Sequence, residues 1–255
     1  MTIENPPRQP YQPEGTVYGV LLNSNEEFAA MAGQMTSLPY KAPPSAPVLY
    51  IKTANTWNPS GGLVALQPQS PEILVGATIG MLIGAVAPEK RASAAIESIA
   101  GFVLMNDFSI PHASFFRPPV KFNCLDGFLG IGAQTVSPDE AGDPARLTLE
   151  VRINGELRHT VDFSQMRRNA AQLLVDVNEF MTLREGDVLM LGCGAGRPLA
   201  KAGDRVDVSV PGVPAFGTLS HTLVEEFFHG PPLEKLAPSG GSAVHAVTSV
   251  GATSK

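Results

Sequence analysis

The length, composition and charge of the chain limit what it can be. It has 255 residues, 44% of them hydrophobic, which is enough for one large domain with a substantial core. The formal net charge is -6, and because nucleic-acid binding needs a basic face, we exclude that class of partner. Only 16% of the residues are charged, which favours a surface partly covered by another protein.

Three local features of the sequence concern the cellular location of the protein. The longest apolar run, residues 73–87, is interrupted by glycines and predicts a buried strand rather than a membrane span. Residues 1–15 are polar and rich in proline and lack the apolar core of a secretory signal. Cys124 and Cys193 are too few for a disulfide scaffold or a zinc site. We therefore expect a cytoplasmic protein without membrane contact.

The chain divides into a proline-rich N-terminal arm (residues 1–15), a single folded domain (16–229) and a flexible tail rich in Gly, Ser and Ala (230–255). Apolar alternation and short apolar runs predict strands at residues 16–23, 48–52, 101–105, 188–191, 206–210 and 218–225. Helical spacing predicts helices at residues 25–33, 90–100 and 169–180. Asn154-Gly155 between two β-rich runs predicts a hairpin. Many short strands with few helices indicate a mainly β, α+β fold of the roll or sandwich type.

An acidic motif follows the apolar strand predicted at residues 101–105. In Asn106-Asp107-Phe108-Ser109 the carboxylate of Asp107 stands just after a buried strand, where it can act as a metal ligand or a base. The alternative is an ordinary turn, because Asn, Asp and Ser all favour turns. His112, shortly after this motif, is a candidate acid/base, and Asp107 and His112 are the predicted catalytic residues.

Three cations are candidates for binding a substrate carboxylate. Arg117 and Lys121 lie four residues apart in a segment stiffened by two prolines, and an Arg can hold a carboxylate through two hydrogen bonds. The alternative is a surface loop with solvated charges. Lys52, at the end of the strand predicted at residues 48–52, is a weaker candidate of the same kind.

The order and spacing of these motifs resemble the fumarylacetoacetate hydrolase superfamily over residues 19–226. The branch resembled is the bifunctional isomerase/decarboxylase of 4-hydroxyphenylacetate (homoprotocatechuate) degradation, in its N-terminal half or subunit. The matching segments are Tyr40-Lys41-Ala42-Pro43-Pro44, Tyr50-Ile51-Lys52, Asn106-Asp107-Phe108-Ser109, Asp126-Gly127-Phe128, Arg168-Asn169-Ala170 and Glu179-Phe180-Met181.

The resemblance implies a fumarylacetoacetate hydrolase C-terminal-domain-like β-roll or sandwich, commonly dimeric. In active members a Glu-x-Glu pair and the Asp of the Asn-Asp motif hold Mg²⁺ or Mn²⁺, which stabilises an enolate. The implied substrates are small unsaturated oxo-di- or tricarboxylates. The implied activities are decarboxylation of 5-oxopent-3-ene-1,2,5-tricarboxylate and isomerisation of the product, 2-hydroxyhepta-2,4-diene-1,7-dioate, to its 2-oxo form.

The sequence departs from this pattern at the metal ligands. Alignment to the family places Gly76 and Thr78 at the two Glu positions, so Asp107 is the only surviving ligand. The usual Lys before Asp126-Gly127 is replaced by Asn123, and the Thr-Gly-Thr-Pro loop reads Leu191-Gly192-Cys193-Gly194. We expect no tightly bound metal in this chain, and Mg²⁺ only in an active paralogue or partner.

Three hypotheses of function remain. The chain is a catalytic subunit of the decarboxylase/isomerase, or it is a metal-less, non-catalytic partner of a metal-bearing paralogue. Either role implies a homodimer or a heterodimer with such a paralogue. In the third hypothesis the altered loop supports different chemistry with Cys193 as nucleophile, although a buried structural thiol is favoured because no base is visible near it in the sequence.

Overall fold

The structure is a computed structural model that describes residues 10–84, 96–112, 114–116 and 118–226. Its strands are β1 (Val17–Leu21), β2 (Val48–Lys52), β3 (Trp57–Pro59), β4 (Leu63–Leu66), β5 (Glu72–Leu74), β6 (Ala77–Ile83), β7 (Ile99–Asp107), β8 (Leu129–Val136), β9 (Thr148–Ile153), β10 (Glu156–Asp162), β11 (Val188–Met190), β12 (Leu199–Lys201), β13 (Arg205–Ser209) and β14 (Thr218–Glu225). Its helices are α1 (Asn25–Met35), α2 (Val120–Asn123), α3 (Pro138–Ala141) and α4 (Ala170–Asn178). Single 3₁₀ turns lie at Ala54–Thr56, Pro144–Arg146, Phe163–Gln165 and Pro214–Phe216.

The described strands form two large sheets and one small one. The first has the order β2-β1-β11-β6-β7-β8-β3, and the second has the order β10-β9-β13-β14-β4. Strands β12 and β5 form a separate pair. The predicted fold class is therefore confirmed: the fold is mainly β with a few helices.

Most predicted elements are found, with small shifts at their ends. The hairpin at Asn154-Gly155 joins β9 and β10, and both turn residues have positive φ angles of 55° and 84°, as its type of tight turn requires. Residues 73–87 do not form one strand, because β5 pairs with β12 while β6 pairs with β11 and β7. The helix predicted at residues 90–100 lies mostly outside the described residues, and Ile99 and Ala100 belong to β7.

The predicted domain boundaries stay predictions, although the described end of the N-terminal arm contacts the body. The backbone N–H of Tyr11 donates to Ala133 O at 3.2 Å, and that of Gly15 donates to Gly186 O at 3.0 Å. Within the part of the chain that the structure describes, no helix is long and apolar enough to cross a membrane.

Strand β7 separates two buried layers because successive side chains of a strand point to opposite faces. Phe102 and Leu104 belong to the main core between the two large sheets. Val103 and Met105 belong to a smaller core on the other face of the first sheet. The same alternation places the side chain of Asp107 on the face of the smaller core.

The opposite face carries a buried histidine on β14. His221 is 1% exposed, and its ring lies edge-on to Phe108 with centroids 5.7 Å apart. The carbonyl of Asn58 lies 3.3 Å from its Nε2. A Cβ at Gly130 would lie 2.5 Å from the ring, so only glycine leaves room for His221 there. Burial lowers the pKa of His221, which the backbone of Asn58 and Pro59 offsets only in part.

This burial predicts acid sensitivity. Below the ordinary histidine pKa of about 6.5, the unfolded chain takes up a proton at His221 that the folded chain resists. The free energy of unfolding should therefore fall as the pH is lowered through that value, with a slope of at most about 1.4 kcal/mol per pH unit for one site. Urea titrations between neutral pH and pH ~5 should show a flatter dependence in His221→Gln.

His159 provides the matched control for this prediction. It is half-buried, and burial also lowers its pKa, but less of its ring is removed from water. His159→Gln should remove a smaller part of the pH dependence than His221→Gln. If the free energy of unfolding of His221→Gln depended on pH as steeply as that of the wild type, His221 would not be the cause of the acid sensitivity.

Candidate functional site

The candidate site is built around Asp107 at the end of β7. Its side chain is 2% exposed, and its backbone N–H donates to Gly76 O at 2.8 Å. This bond continues the pairing of β7 with β6 by one residue past Ala77 and Asn106. A buried carboxylate is costly unless it is paired, so its partners define the chemistry of the site.

Lys52 is the cationic partner of Asp107. Its Nζ lies 2.7 Å from Asp107 Oδ1, and both side chains are buried. The same ammonium also donates to three backbone carbonyls, those of Phe108, Asn123 and Phe128, at 3.3, 2.5 and 2.9 Å. Because these internal acceptors satisfy its donors, Lys52 is an integral part of the site, and its predicted contact with substrate stays a prediction.

Tyr50 is the second partner, two residues before Lys52 and on the same face of β2. Its hydroxyl donates to Asp107 Oδ2. The ring can lie across the sheet because its neighbour on β1 is Gly19, where any Cβ would overlap with it. Burial, together with the charge of Asp107, raises the pKa of Tyr50 well above its ordinary value. The phenol is therefore a neutral hydrogen-bond donor at physiological pH.

The two positions aligned with the family's Glu pair do not suit a metal ion. A Cβ at Gly76 would overlap with the backbone oxygen of Asp107 and lie 3.0 Å from Cys193 Sγ. The hydroxyl of Thr78 is buried and donates to Gly192 O at 2.7 Å. Mg²⁺ binds several carboxylate or carbonyl oxygens in near-octahedral geometry, and Asp107 alone, already paired with Lys52, does not supply them. Among the described residues no group of three or more His, Cys, Asp or Glu side chains is placed to hold a metal ion.

The loop after β11 brings Cys193 against this site. Its Sγ donates to Gly76 O at 3.4 Å. Burial, together with the negative charge of Asp107, raises the pKa of the Cys193 thiol. A protonated thiol is a poor nucleophile, so the geometry favours the structural interpretation of this cysteine.

Arg197, on the same loop, adds a second cation. It is half-buried, and its Nη1 donates to Ser109 Oγ at 3.3 Å. Burial by itself would lower the pKa of Arg197, but Cys193 and Asp107 raise it overall. Its guanidinium is therefore charged and lies within electrostatic range of the surviving aspartate.

The other predicted site residues are His112, Lys121 and Arg117. His112 stacks on Phe122 with ring centroids 4.9 Å apart, and Ile110 O lies 2.9 Å from its Nδ1. Lys121 is exposed, with its Nζ 5.7 Å from the centroid of the Phe122 ring. No hydrogen bond within the described ranges joins His112 or Lys121 to Asp107. Arg117 lies outside the described residues. The predicted roles of these three residues stay predictions.

Sequence reasoning did not select Tyr50 or Arg197 as site residues. Tyr50 could have been predicted from its spacing to Lys52, which was a candidate. Residues two apart on a strand lie on the same face of the sheet. Arg197 gave no local signal: its position near Asp107 depends on where the loop after β11 folds.

The fold and the site together define the class of protein. The model of the fumarylacetoacetate hydrolase C-terminal family matches residues 16–224. The chain belongs to this family.

Two curated relatives belong to the isomerase/decarboxylase branch of the family. The chain is 38% identical over 202 residues to the 4-hydroxyphenylacetate degradation bifunctional isomerase/decarboxylase of Salmonella dublin, covering 79% of this chain and 46% of that protein. It is 38% identical over 213 residues to the protein of the same name from Escherichia coli, covering 84% of this chain and 48% of that protein. The chain thus spans about half the length of the curated relatives it matches.

A solved structure supports the fold. The crystal structure of 5-carboxymethyl-2-hydroxymuconate delta-isomerase from Mycobacterium smegmatis superposes with a TM-score of 0.66 at 23% identity, over 86% of this chain and 83% of that chain. The family match and the curated relatives confirm the resemblance to the family and to its isomerase/decarboxylase branch.

Proposed function

We propose that this chain is one subunit of a decarboxylase/isomerase that acts on small unsaturated oxo-di- or tricarboxylates of 4-hydroxyphenylacetate catabolism. The observation that carries the proposal is the retained Asp107, buried and held by Tyr50 and Lys52. It lies in a chain 38% identical to enzymes of that name. The decarboxylation product would be 2-hydroxyhepta-2,4-diene-1,7-dioate, and the isomerisation product its 2-oxo form.

The residues present can support the proton transfer of the isomerisation. Converting the 2-hydroxy-diene to its 2-oxo isomer requires a base that takes the proton of the enol hydroxyl, positive charge that stabilises the dienolate, and return of the proton at the far carbon of the diene. The carboxylate of Asp107 is the base and returns the proton to carbon, the phenol of Tyr50 and the ammonium of Lys52 hold this carboxylate in place, and the charge of the ammonium stabilises the dienolate electrostatically. Decarboxylation also forms an enolate and needs more positive charge, which in this proposal a metal-bearing partner subunit supplies.

The alternative is a non-catalytic partner subunit of a metal-bearing paralogue. It is favoured by the internal pairing of Asp107 with Lys52, which occupies a carboxylate oxygen that a substrate would have to reach. It is also favoured by exposed apolar side chains beside the edge strand β2. Ile51, Phe116 and Val120 are 50%, 54% and 61% exposed and line one groove, which would suit a subunit contact.

Turnover by the purified chain separates the two. The decarboxylation product should be isomerised by the chain alone in the presence of a chelator. Asp107→Asn should lower kcat/KM for this isomerisation by about 100-fold or more, because it removes the general base. The measurement is the change in diene absorbance, with Arg146→Gln, at an exposed cation without an assigned role, as control for the loss of a charge elsewhere.

Two results would favour the partner role instead. One is turnover only when a Glu-x-Glu-bearing paralogue is added, and the other is equal rates for wild type and Asp107→Asn. Calorimetry on the chain alone should show weak or no Mg²⁺ binding. A tight stoichiometric Mg²⁺ site would contradict the metal-free assignment.

A further inference from the structure

The guanidinium of Arg197 makes few hydrogen bonds for a half-buried charged group. An arginine carries five N–H donors, and in the described part of the chain one of them has an acceptor, Ser109 Oγ at 3.3 Å. No carboxylate of the described residues lies within ion-pair distance of it. This half-buried cation has lost much of its water and has Asp107 and Glu27 only as longer-range counter-charges, so most of its donors are free for a ligand.

The acidic groups nearest Arg197 are already engaged. Asp107 is bound by Lys52 and Tyr50. Glu27 accepts the backbone N–H of Leu22 at 3.0 Å, and burial raises its pKa, with Arg197 opposing this from longer range. Neither side chain offers Arg197 the paired oxygens that fit its planar fork.

Arg197 also lines a polar cavity of about 720 Å³ on the side of the β5–β12 pair. Two of the three acidic residues that line this cavity have partners of their own: Glu156 lies 3.7 Å from Arg158, and Asp204 accepts the amide of Asn154 at 2.8 Å. The third, Glu72, is exposed to solvent. The other cations of the cavity, Arg158 and Lys201, are exposed, so Arg197 is its half-buried cation within the described residues. Arg197 therefore lines this cavity and also lies near Asp107.

We propose that Arg197 is the carboxylate anchor of this site and binds one carboxylate of a small di- or tricarboxylate ligand through two parallel hydrogen bonds. The ligand enters from the polar cavity, and its carboxylate forms the direct ion pair that the described residues do not provide. The oxo end of the ligand then lies toward Asp107 and Tyr50. The identity of the natural ligand rests on the proposed function, whereas the anion site itself does not.

Calorimetry with oxalate as the probe, at low ionic strength, tests this inference. The wild-type chain should bind oxalate, and Arg197→Met should weaken binding by about 10- to 100-fold, the usual effect of losing a charge-assisted bidentate contact. Arg197→Lys keeps the charge but loses the fork and should fall between the two. Lys201→Met, an exposed cation of the same cavity, should change the affinity by less than about twofold.

The outcomes are distinct. Absence of oxalate binding by the wild type, or equal affinity in Arg197→Met, would overturn the anchor. Equal losses in Arg197→Met and Lys201→Met would also overturn it, because they would show only a diffuse charge effect. If Arg197→Met does not fold, the affinity of Arg197→Lys for oxalate remains the test. Wild-type affinity in Arg197→Lys would contradict binding through two parallel hydrogen bonds of the guanidinium. Oxalate binding that depends on Arg197, without turnover of the diene, would keep the anchor and reject the catalytic role of the chain.

Discussion

Replacing Lys52 by methionine should lower the free energy of unfolding by about 3–5 kcal/mol, the usual cost of breaking a buried ion pair. Methionine fills a similar volume, so the loss comes from charge and hydrogen bonding rather than from a cavity. Asp107 would remain buried with only the Tyr50 hydroxyl as partner among the described residues, and three backbone carbonyls would lose the hydrogen bond from the ammonium. Urea denaturation at neutral pH measures the effect.

A double-mutant cycle identifies the cause. If the ion pair is responsible, Lys52→Met combined with Asp107→Asn should be less destabilised than the sum of the single variants, by about 2 kcal/mol. Lys121→Met, which removes an exposed lysine, should change stability by less than about 0.5 kcal/mol. Additive effects of the two site substitutions would show that Lys52 and Asp107 are not energetically coupled and would contradict the structure.

Restoring an acidic residue at position 76 should not restore a metal site. Gly76→Glu is expected to cost about 4 kcal/mol or more, because its Cβ overlaps with the backbone of Asp107 and its carboxylate is forced into a buried region. The double variant with Thr78→Glu also loses the bond to Gly192 O and should bind Mg²⁺ no better than the wild type. Thermal unfolding with and without Mg²⁺ measures both properties.

Two alanine variants separate the backbone clash from the charge. Gly76→Ala should cost about 1–3 kcal/mol, as overpacking does in a filled core. Gly33→Ala is the control, since nothing lies within 4 Å of a Cβ at that exposed position of α1. It should stabilise the protein by about 0.5–1 kcal/mol. A neutral Gly76→Ala, or a Mg²⁺-dependent rise in stability of the double Glu variant, would contradict the close contact between Gly76 and Asp107.

Most strands can be predicted from the local sequence, because apolar and polar residues alternate along them. The strands at residues 48–52 and 218–225 have the bounds of β2 and β14. The run at residues 73–87 was predicted as one strand because it is apolar almost throughout. Its division depends on distant partners: the backbone N–H of Leu74 donates to Ser109 O, and that of Val75 donates to Pro198 O. Such partners are not visible in a window of local sequence.

The same limit applies to the site. Asp107 was predicted because an acidic residue after an apolar strand is a local signal. Lys52 was found as a cation but assigned to substrate, because the sequence does not show that the carbonyls of Phe108, Asn123 and Phe128 surround its ammonium. Arg197 was missed because its importance arises from an unpaired charge, which only the folded arrangement reveals.

The tight approach of Gly76 to the strand end at Asp107 has an evolutionary consequence. An acidic residue at this position would need a wider gap between the two backbones. Each single step toward such a sequence therefore passes through a protein less stable than its parent. Selection for a folded protein alone should then keep glycine at position 76, whatever ligand the pocket binds.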